Sequence, residues 1–169
     1  MFGNVLNVTP SPLTPFLGKW VRDDTSVGRK VAKRVLGEEA LRTFRTCKSI
    51  DELREYVDSD PMLADRYQRH LKLTGRSYLF VSVKAIISES ALPGNFTGAN
   101  HLKTYPVLSL TKEGRNVVVR TVDGERSLGL VLRAKHDWLL VSERYFGKAG
   151  ELFPRSPVHR YYRAPALET

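Results

Sequence analysis

The spacing of hydrophobic positions changes near residue 76. Before it, Val27, Val31 and Val35 recur at every fourth position, with Ala32 and Leu36 widening the stripe. Arg29, Lys30, Lys33 and Arg34 fall on the opposite arc. That is the period of an amphipathic helix over 26–46. Gly37 interrupts it, and Glu38 and Glu39 suit the start of a second helical stretch. Ser49-Ile50-Asp51-Glu52 has the form of a capping box, which predicts a short helix to about Val57. Asp60-Pro61 is another start signal. Leu63, Tyr67 and Leu71 form the stripe of the helix that follows, with Gly75 as its stop.

After residue 76 the chain turns to β-branched and aromatic residues. Tyr78 to Ile87 reads as one strand, and residues 88–103 as a long polar loop carrying Pro93, Gly94 and Gly98. Four short strands follow: Tyr105–Leu110, Asn116–Val122, Arg126–Arg133 and Asp137–Glu143. Asp123-Gly124 is a hairpin signal, because both residues tolerate the positive φ of a type I′ turn.

The ends differ from both halves. Residues 1–25 form a Pro-punctuated, apolar arm, and residues 147–169 a basic tail rich in Pro, Arg and Tyr. The expected fold is α+β: a helical, basic half over 26–76, then an antiparallel β-meander or small barrel over 77–146. Residues 26–146 are expected to form one compact unit, with an arm before it and a tail after.

Composition narrows the function classes. No apolar run approaches the roughly 20 residues a membrane helix needs, so no membrane partner is expected. The start of the chain lacks the basic, apolar pattern of a signal peptide, since Pro10, Pro12 and Pro15 interrupt it. The lone Cys47 forbids an internal disulfide and suits a reducing compartment, where it reads as a small buried hydrophobe. These features point to the cytoplasm, or to a particle assembled there. His70, His101, His136 and His159 are widely separated and lack metal-ligand spacing. No phosphate loop follows a strand, so neither metal nor cofactor is expected.

The net charge of +9 shifts the reading toward an anionic partner. The excess is clustered: residues 26–48 carry seven basic and two acidic side chains. Arg29, Lys30, Lys33, Arg34, Arg42 and Arg45 would neutralise a phosphate backbone. In the tail, Arg160, Tyr161, Tyr162 and Arg163 interleave cations with stacking platforms for bases. Among strand aromatics, Tyr78, Phe80, Tyr105 and Trp138 suit either a groove or the core. The sequence therefore favours a non-enzymatic protein associated with RNA or DNA.

Two alternatives stand beside it. One is a small structural subunit of a virion core or ribonucleoprotein particle, contacting protein partners or copies of itself through residues 1–25 and 147–169. The other is a metal-free ribonuclease, drawing on His101, Lys103 and Tyr105 with Arg120, Arg126 and Arg133.

Overall fold

A computed structural model describes residues 10–23, 29–74, 76–91, 101–146 and 158–165. A short 3-10 turn (Thr14–Phe16) leads into β1 (Gly18–Arg22). Four helices follow: α1 (Arg29–Leu36), α2 (Glu38–Thr46), α3 (Ile50–Asp58) and α4 (Pro61–Thr74). Then come β2 (Arg76–Val81), β3 (Ala85–Ala91), β4 (His101–Pro106) and β5 (Ser109–Glu113). The chain ends in β6 (Asn116–Asp123), β7 (Arg126–Lys135), β8 (Trp138–Tyr145) and β9 (His159–Arg163).

All pairings are antiparallel, and the strands form one sheet in the order β4-β3-β2-β1-β9-β8-β7-β6-β5. This corrects the expected fold of a helical half followed by an antiparallel meander or small barrel and a basic tail. The sheet has nine strands, and the helices are an insertion between its first two. β1 comes from the supposed arm and β9 from the supposed tail, and they lie side by side at the centre. Trp20, Val21, Tyr161 and Tyr162 favour extended backbone. Their cations mask that preference in the sequence, and pairing on both sides secures it.

Connectivity forces the sheet to curl. β4 and β5 are its two edges, yet only Val107 and Leu108 join them. Nine flat strands would put those edges roughly 38 Å apart, at about 4.8 Å per step. The link from Pro106 to Ser109 reaches at most about 11 Å. The edges therefore meet. Val107 N–H donates to Lys84 O (2.9 Å), and Leu108 N–H donates to Arg120 O (2.9 Å). Across the seam, Lys103 on β4 pairs with Asp123 on β6 at 2.6 Å.

The local signals explain the remaining differences from expectation. The run read as one strand over 78–87 is two, turned at Ser82, whose hydroxyl donates to Ala85 O (2.8 Å) and accepts from Ala85 N–H (3.2 Å). No Gly or Pro marks that turn. Residues 88–91 and 101–103, read as loop, belong to β3 and β4, and 92–100 lie outside the described residues. The β6–β7 turn residues are Gly124-Glu125, with Asp123 opposite Arg126. Only Gly124 takes a positive φ there (63°), the requirement of type II′ rather than type I′. The helix signals are closer to the outcome: Ser49 Oγ accepts from Glu52 N–H (3.1 Å), and Asp60 Oδ1 from Met62 N–H (3.0 Å). The expected stop at Gly75 lies outside the described residues.

The sheet separates two cores. Its inner face carries Leu79, Val81, Ile86, Val117, Val119, Leu130, Leu132 and Leu139, with Leu13 and Phe16 folded in from the segment before β1. Trp20 Nε1 donates to Phe16 O (2.8 Å), and Arg163 donates to Leu17 O (2.7 Å) and Pro15 O (3.0 Å). The outer face carries Trp138, Leu140 and Tyr162, on which the helices pack with Ala32, Leu36, Phe44, Leu53, Val57 and Leu63. Trp138 Nε1 donates to Cys47 O (2.7 Å), joining β8 to the end of α2. No helix among the described residues is long and apolar enough to cross a membrane.

Arg160 joins the two layers. It donates to Asp23 Oδ2 from Nε (2.8 Å) and Nη2 (2.6 Å), and to Phe44 O (2.9 Å). The side chain of Asp23 is 1% exposed and that of Arg160 13%. Replacing Arg160 with Met removes the ion-pair partner of a buried carboxylate, a loss of about 3–5 kcal/mol. In urea unfolding, Arg160→Met should fall by that amount. The double variant Asp23→Asn, Arg160→Met should recover part of it.

Candidate functional site: the polar end of the sheet interior

The inner face is graded along the strands. Strand alternation puts Arg22 in phase with Trp20, Thr121 in phase with Val117 and Val119, and His159 in phase with Tyr161. The register confirms it: Arg22 lies opposite Tyr161, and His159 opposite Val141. Lys103, Asp123, Glu143 and Tyr145 lie toward the same end. The apolar end, by contrast, is filled by Leu13, Phe16 and their neighbours.

Hydrogen bonding at the polar end is incomplete. Arg22 Nε, Thr121 Oγ1 and His159 Nδ1 are buried and meet no partner among the described residues. Thr121 is fully buried. Around them, Tyr145 Oη donates to Glu143 Oε2 (2.9 Å), and Lys103 lies 5.4 Å from the Tyr105 ring centre. Arg22 has no carboxylate in salt-bridge contact among the described residues, although it stands close enough to Tyr161 and His159 to affect their protonation.

The surrounding titratable groups are held in defined states. Burial pushes the Tyr161 and Tyr105 phenols up, and the Glu143 carboxylate raises Tyr145. The hydrogen bond to Asp123 raises Lys103. Burial, reinforced by the Arg22 charge, lowers His159 below its ordinary 6.5. At neutral pH the interior therefore holds neutral phenols, a neutral imidazole, the Lys103–Asp123 pair, Glu143 and the Arg22 guanidinium.

The residues expected to contact nucleic acid are not gathered on one face. Arg29 and Lys30 lie in the first turn of α1, and their side chains are outside the described set. Lys33 pairs with Glu38 at 2.7 Å. Arg34, Arg42 and Arg45 are exposed on α1 and α2. The other four have partners within the fold, Arg163 while remaining exposed. Arg160 holds Asp23, and Tyr161 is buried on the inner face. Tyr162 packs on Trp138 with ring centres 6.5 Å apart, and Arg163 lies 4.2 Å from the Trp20 ring centre. The nucleic-acid reading is therefore corrected: the supposed stacking tail is a central strand. The same finding corrects the terminal arms proposed for a particle subunit, because residues 18–22 and 159–163 pair with each other. Residues 1–9, 147–157 and 166–169 lie outside the described set.

The residues named for a ribonuclease are split between the two faces: Tyr105 and Arg126 share the phase of Ile86 and Leu128. His101 and Lys103 lie on β4, whereas Arg120 and Arg133 point to the opposite face from Thr121 and Leu132. Of the candidate groove aromatics, Tyr105 and Trp138 are core, and Tyr78 and Phe80 line up beneath Lys19 on the outer face. No group of three or more His, Cys, Asp or Glu among the described residues is placed to hold a metal.

The sequence singles out neither Arg22 nor Thr121, and names His159 only among scattered histidines. Thr121 is legible in hindsight, as a hydroxyl in the apolar phase of a strand. Arg22 is not, because β1 itself is hidden.

No family model matches this chain, and no curated protein does. A crystal structure of the wild-type fluorescent protein UnaG is similar at a TM-score of 0.36 and 12% identity, over 90% of this chain and 99% of that one. A likeness that weak says nothing of what this chain binds.

His159 sets a pH dependence. Its folded pKa is lowered from 6.5, so the unfolded chain takes up the proton first as pH falls. The stability that neutral His159 contributes is complete above about pH 6.5 and is lost as pH drops below that value. His159→Phe should flatten the loss between neutral pH and about pH 5, measured as the difference between the two proteins' urea midpoints.

Proposed function

We propose that the chain is a non-enzymatic binding protein that takes a small carboxylate-bearing molecule at the polar end of its curled sheet. One observation carries this reading: a guanidinium with a buried, unpartnered Nε in an interior where the nearby imidazole and phenols are neutral. A half-buried guanidinium with an unsatisfied, buried N–H and no ion pair is costly. A carboxylate at Arg22 offsets that cost, and its oxygens also accept from Thr121 Oγ1–H. Beyond them, Tyr105, Leu128 and Leu130 offer an apolar wall to the rest of the ligand. The placement of Arg120 and Arg133 on the opposite face from Lys103 and Tyr105 supports binding without chemistry. The free, buried Cys47 supports a cytoplasmic location.

The test is an amide NMR titration with octanoate, with octanol as the uncharged control. Octanoate should shift the amides of Val119, Leu130 and Tyr161 saturably, and octanol should bind at least about tenfold more weakly, equal to about 1.4 kcal/mol. Arg22→Met should weaken octanoate by a similar factor or more, since a hydrogen bond to a charged group is worth about 1.5–3 kcal/mol. Equal binding of octanol, or an unaffected Arg22→Met variant, would sink the reading.

A further inference from the structure

A second space lies on the other side of the sheet. It is a cleft of about 310 Å³ between α3, α4 and the adjoining ends of β1, β2 and β9. Its volume sits at the lower end of ligand-binding cavities, roughly 300–1,000 Å³, so it suits a molecule smaller than a typical drug. Its floor is apolar and aromatic. Ile50 and Val57 come from α3, Leu71 and the Tyr67 ring from α4, and the Tyr162 ring from β9.

Most of the charge around the cleft is already engaged. Asp23 is held by Arg160 at 2.6 Å, and Arg76 also has a partner within the fold. Arg22 borders the cleft, but its side chain shares the phase of Trp20 on the inner face. Two charges of opposite sign remain, Arg54 and Asp58. They stand one turn apart on α3, both exposed, and neither forms a salt bridge among the described residues. The Arg54 guanidinium carbon lies 5.9 Å from the centre of the Tyr162 ring, near the outer limit of a cation–π contact, and that contact uses none of its N–H donors.

Residues at this spacing hold their Cβ atoms about 5–6 Å apart. A cation and an anion so placed select for an occupant that carries both charges. A simple anion would satisfy Arg54 and meet Asp58 as a like charge, and a simple cation would do the reverse. A free α-amino acid carries its carboxylate and its ammonium group on one carbon, with its side chain beside them. The carboxylate matches the guanidinium fork, and the ammonium group donates to the Asp58 carboxylate. Ile50 and Val57 share the α3 face with both charges, and an aromatic side chain suits the two tyrosine rings across from them.

We propose that this cleft is a separate binding site for a zwitterion, a free α-amino acid with an aromatic side chain. Arg54 takes the carboxylate and Asp58 the ammonium group, and the ring lies among Tyr67, Tyr162 and the aliphatic floor. Because α3 supplies both charged contacts and β9 one of the rings, an occupant bridges the helical layer and the sheet. It therefore stabilises their contact by mass action.

The experiment uses the full chain and amide NMR, with phenylalanine as the probe. Hydrocinnamate lacks the ammonium group, phenethylamine lacks the carboxylate, and glycine lacks the ring. Phenylalanine should shift the amides of Ile50, Val57 and Leu71 saturably, and each control should bind at least about tenfold more weakly. Two variants at exposed helical positions read the charges separately. Asp58→Asn should weaken phenylalanine by about tenfold while hydrocinnamate binds no more weakly than to the parent. Arg54→Met should weaken phenylalanine by a similar factor while phenethylamine binds no more weakly. Those retained affinities show that the cleft is intact in each variant. The proposal is overturned by any of three results: no saturable shift at those amides, either singly charged control binding as tightly as phenylalanine, or phenylalanine binding both variants as tightly as the parent. Shifts confined to Val119, Leu130 and Tyr161 would also overturn it, and would leave the interior site standing.

Discussion

Arg160 is the constraint on which the two layers depend. Its guanidinium makes a two-point contact with Asp23, caps the carbonyl of Phe44 and lies 3.8 Å from the Trp138 ring centre. Those groups come from the segment after β1, the end of α2 and the start of β8. A cation at the C-terminal end of a helix also meets the negative end of its dipole. A buried ion pair adds little net stability over a well-packed apolar pair, because desolvation offsets the attraction. What it adds here is register. β9 must sit beside β1, and α2 must end over Trp138, for every donor of Arg160 to find its acceptor.

The second constraint is topological. A two-residue link between the edge strands allows only a curled sheet, and curling creates an enclosed inner face. That face is apolar where the segment before β1 folds in and polar at the other end. The sheet thus gives the chain two dissimilar surfaces. The outer one is covered by helices over Trp138, Leu140 and Tyr162. The inner one is packed, and leaves hydrogen bonding incomplete at its polar end.

Legibility in the sequence followed how local each determinant is. The capping residues Ser49 and Asp60 act within three positions of themselves, and both helix starts were readable. The strands β6, β7 and β8 were readable because their inner positions alternate cleanly, as in Leu128, Leu130 and Leu132. The Ser82 turn was hidden because a serine hydroxyl, not Gly or Pro, closes it. β1 and β9 were hidden for a different reason. Each is five residues long, carries two cations three positions apart and is extended because a partner lies on each side. With those two strands missing, Arg22 and His159 were not recognisable as inward-facing, and the interior site could not be assembled.

The basic composition led away from the site for a related physical reason. Net charge predicts the far field of a protein, and that field is indifferent to whether a cation is already satisfied. Lys33 is held by Glu38 and Arg160 by Asp23, while Arg163 is spent on two carbonyls and an indole ring. These side chains contribute to the charge of the chain but not to a phosphate-binding surface. Arg22 reverses the relation. It is one cation among many in the composition, yet its environment makes it distinctive. A charge becomes a recognition element when its surroundings withhold a partner, and that property belongs to the fold rather than to the count of basic residues.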